Sequence, residues 1–142
     1  MDKTIHGFAQ MIDQQFFHAL SKSLLKEGFP YISHDDLDIL TYIKDHHPHM
    51  SEVADYMSLS KSTMSAHMNS LVKKGFVIRR NDEMDHRVIY LSLTDKGSRI
   101  VESYCRFYRR FRGYFSSFDL LNKIQEDVVY SLAAMEEHLC KE

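Results

Sequence analysis

A run of small polar side chains lies between Leu59 and Leu71, and it is the part of the sequence best suited to contacting a ligand. Met64, Met68 and Leu71 recur every three or four residues, which places them on one buried face of a helix. The side chains on or near the other face are Ser62, Thr63, Ser65, Ala66, His67 and Asn69. Hydroxyl, imidazole and amide groups hydrogen-bond base edges and phosphates. A helix N-terminus capped by Ser60 would also present the free backbone N–H groups of Lys61 to Thr63 to a phosphate. The run therefore predicts nucleic-acid recognition through these side chains.

A basic segment follows this helix. The side chains expected to reach phosphates are Lys73, Lys74, Arg79 and Arg80. Asp85 and Arg87 lie two residues apart at the start of a strand, so they point the same way and the carboxylate can hold the guanidinium extended. A narrow minor groove has a strengthened negative potential that favours an inserted Arg. The sequence therefore predicts a second DNA contact at Arg87, supported by Asp85.

Signatures of catalysis are absent from the sequence. There is no GxSxG, no HExxH and no glycine-rich phosphate loop among the five glycines, so we predict no catalytic residue and no cofactor. The histidines at 46, 47 and 49 form a cluster, but Pro48 restricts its geometry and no cysteine lies near it in sequence. Cys105 and Cys140 are far apart and lack CxxC spacing. We assign no metal site on this basis.

The periodicity of apolar residues predicts the helices that precede these segments. Residues 5–24 carry an apolar side chain every three or four positions, which predicts a long amphipathic helix that ends near Gly28. Ser33 and Asp36 have capping-box spacing for a second helix. Its expected buried residues are Leu37, Leu40, Thr41 and Ile43. Ser51 is the expected N-cap of a short third helix over 52–57.

The fourth helix and a β-hairpin follow. The helix is predicted from Lys61 to Lys74, with Ser60 as N-cap and Gly75 as the C′ residue. In the hairpin, whose polar tip covers residues 81–86, Phe76 and Ile78 are expected on one face and Val77 on the other.

Two further helices complete the predicted order. Thr94 is the expected cap of a fifth helix that extends to about Tyr114, and a sixth helix is predicted from about Asp119 to Leu139. The first and last helices carry more apolar surface than so small a domain covers, which predicts an association surface. The sequence therefore indicates a single domain, 1–142, that is mainly α with a small β-hairpin wing. Its winged helix-turn-helix lobe is predicted at 33–97, and its dimerisation helices at 1–28 and 98–142.

Three stretches resemble the MarR family of winged helix-turn-helix transcriptional regulators. LSKSTMS at 59–65 and LVKKGFV at 71–77 resemble the recognition helix and first wing strand, and DHRVIYLSLTDKG at 85–97 resembles the wing and the helix after it. The helix order matches the family over the full length. Two positions depart, because members often carry Arg at the place of Ala66 and Gly at the place of Ser58. The missing Arg removes a strong base contact.

The resemblance implies a homodimer on double-stranded DNA. Two recognition helices would enter successive major grooves of a pseudo-palindromic operator, with half-sites about one turn, roughly 10 bp, apart. It also implies a cleft that accepts a small aromatic or lipophilic effector. The residues expected to line that cleft are Phe16, Phe17, His18 and Tyr108.

The charge of the chain is unevenly distributed. Its formal net charge is −2, yet residues 61–112 contain twelve Lys and Arg against five Asp and Glu. This asymmetry predicts a basic face for a polyanion. No apolar run approaches the roughly 20 residues of a membrane span, and the N-terminus lacks a signal-peptide pattern, so we expect a cytoplasmic protein with no membrane partner.

Together these observations predict a sequence-specific DNA-binding regulator, and in particular a repressor released by a small ligand. Two alternatives stay open at this point. One is a DNA-binding metal or thiol sensor, which would use the histidine cluster or the cysteines. The other is a protein-interaction module, in which the winged helix binds a partner protein; the alanine at position 66 is compatible with this reading.

Overall fold

The computed structural model describes residues 3–116 and contains five helices and one β-hairpin in that range. In chain order the elements are α1 (Lys3–Lys26), α2 (His34–His46), α3 (Met50–Tyr56), α4 (Lys61–Lys73), β1 (Val77–Asn81), β2 (Ile89–Leu93) and α5 (Asp95–Ser116). The predicted mainly α class with a β-hairpin wing is confirmed. The sixth helix, predicted from about Asp119 to Leu139, lies outside the described residues.

The chain divides into two compact units. The winged unit is Ile32–Glu102 and holds α2, α3, α4, the hairpin and the start of α5. The helical unit contains α1 and the part of α5 from Ser103 onward. None of the helices described here is both long and apolar enough to cross a membrane.

The core of the winged unit follows the apolar pattern of the sequence. All four side chains expected on the inner face of α2 are buried, and Ile39 joins them. Met64, Met68 and Leu71 are fully buried, which confirms the inner face of α4. Val53 and Ala54 are buried on α3, and the small side chain at position 54 permits a close approach between helices.

Only one of the two hydrogen bonds of the capping box predicted at the start of α2 is found. The side chain of Ser33 accepts a hydrogen bond from the backbone N–H of Asp36 at 3.1 Å, so the predicted N-cap is confirmed. The carboxylate of Asp36 was expected to complete a capping box. It is instead buried and contacts His67 on α4.

The predicted start of α3 is wrong. The helix begins at Met50, and its N-cap is His49 rather than Ser51. Leu91 donates its backbone N–H to the carbonyl of Pro48 at 3.0 Å, and His49 forms a β-bridge with Tyr90. The chain is therefore extended against β2 up to residue 49, and the helix starts at the next residue.

Three helices end in the same Schellman hydrogen-bond pattern, with a left-handed residue at C′. The C′ residues are Gly28 (φ +88°), Ser58 (φ +54°) and Gly75 (φ +79°). After α3, for example, Ser58 N–H bonds Asp55 at 3.1 Å and Leu59 N–H bonds Ala54 at 3.0 Å. The prediction for Gly75 is confirmed, and position 58 requires the same conformation without a glycine.

The hairpin is antiparallel and pairs Val77 with Leu93 and Asn81 with Ile89. Val77 is buried and Ile78 is 40% exposed, so the expectation that Phe76 and Ile78 share one face is wrong. Phe76 still belongs to the end of α4, because its N–H bonds the carbonyl of Leu71 at 2.9 Å. The alternation of side chains between the two faces of the hairpin therefore begins at Val77, one residue later.

The segment from Thr94 to Gly97 joins the start of α5 to the end of α4. The hydroxyl of Thr94 accepts from the N–H of Gly97 at 3.0 Å, which confirms the predicted cap. Lys96 donates to the carbonyl of Lys74 at 2.8 Å. Gly97 is buried, and a Cβ at this position would overlap the carbonyl oxygen of Phe76. A side chain at this position would therefore have to displace the backbone of Phe76.

We expect Gly97→Ala to lower the free energy of unfolding by about 2 kcal/mol, because the added methyl group would overlap the carbonyl of Phe76 and force the backbone to shift. The matched control is Gly113→Ala on the same helix, where a Cβ meets nothing within 4 Å. The control should raise stability by up to about 1 kcal/mol through helix propensity. Urea denaturation at one protein concentration measures both. Equal stability of the two variants would contradict the close approach.

Ser58→Gly should raise the free energy of unfolding by about 0.5 kcal/mol, because glycine adopts the left-handed conformation without the steric penalty of a Cβ. Ser58→Ala keeps that penalty and should not stabilise the protein. Thermal denaturation compares the two variants with the natural chain, and a lower melting temperature for Ser58→Gly would show that the serine side chain stabilises the turn.

Candidate nucleic-acid interface

The helix α4 presents a continuous exposed face opposite its buried residues. Ser62, Ala66, Asn69 and Lys73 are spaced by three or four residues, and all are exposed. Thr63 and Lys61 are also exposed at the start of the helix, whereas Ser65 is half-buried. The structure therefore places most of the predicted contacts of this helix on one accessible surface.

The N-terminus of α4 is held by Ser60. Its side chain accepts from the backbone N–H of Thr63 at 3.2 Å and lies 2.8 Å from the Thr63 hydroxyl and 3.1 Å from the Ser62 hydroxyl. This cluster of hydroxyls lies where the helix dipole is positive and where the first-turn N–H groups have no acceptor within the helix. Such an end can bind an anionic group.

Two predicted contact residues, His67 and Lys74, point toward α2 instead of outward. His67 Nδ1 lies 2.8 Å from Asp36 Oδ1, and Lys74 Nζ lies 3.8 Å from Asp36 Oδ2. The Asp36 side chain is only 7% exposed. These contacts hold α4 against α2, so the structure assigns His67 a positioning role. Whether either residue also contacts DNA stays a prediction.

A third predicted contact, Arg79, lies on β1 beside α4. Its Nη2 donates to Asn69 Oδ1 at 2.9 Å. Arg79 is half-buried, whereas Arg80, the next residue, is exposed. The two arginines were expected to act alike on phosphates, but only Arg80 has the exposure of a typical phosphate ligand.

The tip of the wing is organised by hydrogen bonds from the backbone. Asp82 Oδ1 accepts from the N–H groups of Asp85 at 3.0 Å and Met84 at 2.8 Å, and these bonds hold the pKa of Asp82 below its usual value. Asn81 donates from its side chain to the carbonyl of His86 at 2.8 Å. The tip is therefore a defined turn.

Asp85 and Arg87 form the contact expected from their spacing. Arg87 Nε and Nη2 donate to the two carboxylate oxygens at 3.1 and 3.3 Å, and the Arg87 N–H adds a bond of 3.1 Å. These bonds hold the pKa of Asp85 below its usual value, and the hydrogen bonding from the Arg87 side chain contributes most to this lowering. The Arg87 side chain is 91% exposed, so its guanidinium projects from the wing while the carboxylate orients it.

A cleft of about 290 Å³ brings the helix and the wing together. Lys61 from α4 and Arg87 from the wing both line it, with Ala54 and Met64 among the apolar lining residues. The two cations were predicted from separate motifs 26 positions apart in the chain. The structure places them on the same surface, which is therefore positively charged along both elements.

Two functional residues were missed by the sequence reading. Asp36 was interpreted as part of a cap, because its partners on α4 lie more than 30 positions away. Asp82 was assigned only to a polar tip, although an Asp that precedes a turn by two or three residues often accepts from its backbone. The second could have been predicted from that local pattern.

The residues expected to line an effector cleft lie in the helical unit. Phe16 and Tyr108 are buried, and their rings meet edge to face with centroids 5.9 Å apart. Phe16 also packs against Phe107 and Phe111. Phe17 is half-buried and His18 is exposed. Phe16 and Tyr108 therefore contribute to an aromatic core, and an effector-binding role for the four residues stays a prediction.

The histidine cluster is dispersed by the fold. His46 stacks on Tyr42 at 4.2 Å, His47 adopts a left-handed conformation at the end of α2, and His49 packs on Tyr90 at 4.6 Å. Within the described part of the chain, the group with metal-ligand geometry is His34, Asp35 and Asp38 at the start of α2. Cys105 is buried in the helical unit, and Cys140 lies outside the described residues.

Comparison with known proteins agrees with this architecture. Residues 27–88 match the sequence model of the MarR family. The HTH-type transcriptional regulator SarZ of Staphylococcus aureus is 24% identical over 122 residues, which cover 82% of this chain and 80% of SarZ.

Solved structures share the fold over most of its length. FabT of Streptococcus pneumoniae, in complex with DNA, aligns with a TM-score of 0.67 and 21% identity over 94% of this chain and 98% of FabT. The YusO protein of Bacillus subtilis aligns with a TM-score of 0.65 and 25% identity over 93% of each chain. Residues 27–88, which hold most of the winged unit, thus match the MarR family, and the fold is shared with these structures.

Proposed function

We propose that this protein is a transcriptional regulator that binds double-stranded DNA with sequence specificity. The observation that carries the proposal is the shared cationic surface of α4 and the wing, where Lys61 and Arg87 line one cleft. The relatives support it, because SarZ is a transcriptional regulator and FabT has been solved with DNA.

In this proposal each element has a different task. The exposed face of α4 enters the major groove, where its hydroxyl and amide groups meet base edges. The hydroxyl cluster at Ser60 lies at a helix end suited to a backbone phosphate. Arg87, extended by Asp85, enters the adjacent minor groove, whose negative potential attracts a guanidinium. Lys73 and Arg80 are exposed and neutralise phosphates between the two contacts.

The protein acts as a homodimer in this proposal. The association helices are residues 1–28 and 98–142, and the operator is pseudo-palindromic with half-sites about one helical turn apart. We assign it the role of a repressor in the cytoplasm, the compartment of its DNA target. A small aromatic or lipophilic ligand releases it by binding more tightly to a dimer whose recognition helices no longer match that spacing.

Selection of bound duplexes from a random pool, followed by sequencing, tests the proposal. The expected product is a palindrome whose half-site centres are roughly 10 bp apart. A protein that retains no duplex even at low salt would contradict DNA binding. Enrichment without any consensus would contradict sequence specificity.

Arg87→Ala should weaken binding to the selected duplex by about tenfold or more, because it removes the minor-groove cation without touching the core. Arg110→Ala removes the same charge from an exposed position in the helical unit and should change affinity little. Fluorescence anisotropy titrations at one fixed salt concentration measure both variants. If the two variants lost the same affinity for DNA, the loss would reflect overall charge, and this would contradict a specific contact by the wing.

A further inference from the structure

Asn69 holds a distinctive position on the exposed face of α4. It lies seven residues after Ser62 and three after Ala66, and the alanine carries no hydrogen-bonding side chain. Lys73, the next residue on the same face, ends in an ammonium group that acts on phosphates as a point charge. Asn69 therefore has the richest hydrogen-bonding side chain on this face, since an amide has both donors and an acceptor.

The acceptor of Asn69 is already engaged within the protein. Arg79 Nη2 lies 2.9 Å from Asn69 Oδ1. A guanidinium has donors only, so the amide atom that faces it must be the oxygen. The amide of Asn69 therefore presents its oxygen to Arg79 and its amino group away from it.

Arg79 is held in this position by its surroundings. The residue is half-buried on β1 and lies across from Leu91 in the hairpin register. Its Nε is buried and makes no hydrogen bond to the described residues. Among the described residues, Asn69 accepts a hydrogen bond from this guanidinium at the exposed side of the strand, and releasing Asn69 would leave the half-buried cation without that bond. Breaking the contact to bind DNA is therefore unfavourable.

This contact changes what Asn69 can recognise. Asparagine usually binds adenine with two bonds: its oxygen accepts from the N6 amino group, and its amino group donates to N7. Here Arg79 occupies one lone pair of that oxygen and places a positive charge beside it. A second donor, such as the adenine amino group, is disfavoured there. The Asn69 amino group keeps its two hydrogens, and guanine offers the acceptors O6 and N7.

We propose that Arg79 converts Asn69 into a hydrogen-bond donor that selects guanine over adenine at one position of each half-site. The inference rests on the proposed function and concerns the specificity of the same surface. Arg79, which sequence reasoning placed on a phosphate, becomes a positioning residue that acts on DNA through Asn69.

The sharpest test is Asn69→Asp, which preserves the shape of the side chain and its contact with Arg79 but removes both donors. Duplexes selected by the natural chain and by the variant are compared base by base. The natural chain should show a guanine whose replacement by adenine weakens binding about tenfold. In Asn69→Asp this preference should disappear, and cytosine, whose N4 amino group donates to a carboxylate, should gain. An unchanged preference at every position would overturn the proposal.

Arg79→Met supplies the converse test, because it frees the Asn69 oxygen and leaves the donors in place. We expect the preference at the same position to move from guanine toward adenine. Arg80→Met is the matched control: it removes the same charge from the neighbouring exposed residue and should weaken binding to all sequences without changing the preference. A shift in both variants, or in neither, would overturn the role of the Arg79 contact.

Thermal denaturation of each variant accompanies the selections. If Arg79→Met does not fold, Asn69→Asp still tests whether the donors of Asn69 select the guanine, since the side chain keeps its shape and its contact with Arg79. Different results would contradict the proposed function and the role of Asn69. Absence of any bound duplex for the natural chain would contradict the proposed function itself, whereas a palindrome without a guanine dependent on Asn69 would contradict this inference alone.

Discussion

The contacts of the buried Asp36 carboxylate are the interactions on which the orientation of α4 depends. A carboxylate with so little exposure is costly by several kcal/mol unless it is paired and hydrogen-bonded. Its two partners are His67 on α4 and Lys74, the C-cap residue of that helix. They lie seven residues apart, two turns along the same side of the helix. A rotation of α4 about its axis would separate both from the carboxylate, so the pairing fixes which side chains face outward. Buried polar contacts of this kind contribute more to a defined arrangement than to net stability.

The wing obeys a related rule at an exposed site. A free arginine side chain loses up to about 2 kcal/mol of rotamer entropy when it is immobilised on a ligand. The two bonds from Arg87 to Asp85 restrict that freedom beforehand, and the turn organised by Asp82 fixes the backbone beneath them. Because Asp85 is exposed, its attraction to Arg87 is screened and weak. The contact can therefore orient the guanidinium and still leave its positive charge available to the phosphates that line a groove.

Local rules predicted the parts of this molecule that local interactions determine. The caps at Ser60 and Thr94 and the glycine at 75 involve groups within three to five positions of one another, so spacing alone identifies them. The errors have a common physical origin. The helix α3 begins earlier than predicted because the carbonyl of Pro48 accepts a hydrogen bond from β2, about 40 residues further along the chain. His67 appeared available for DNA until its partner on another helix was known. Residue type and spacing identified the exposed, cationic face of α4 and the wing, but which of its polar groups are available depended on tertiary contacts.

This distinction between available and engaged groups also separates affinity from specificity. In the proposed function, the exposed cations at Lys61, Lys73, Arg80 and Arg87 act on the phosphate backbone and on the minor groove through their charge, and every DNA sequence offers these targets. Specificity must then come from the few neutral groups on the outward face of α4. One position of that face is an alanine, and the amide of Asn69 is partly engaged by Arg79. With so few neutral groups, the base preference of the helix is sensitive to the hydrogen-bonding state of each one. A residue behind the surface, such as Arg79, can therefore influence sequence preference as strongly as one that touches the DNA.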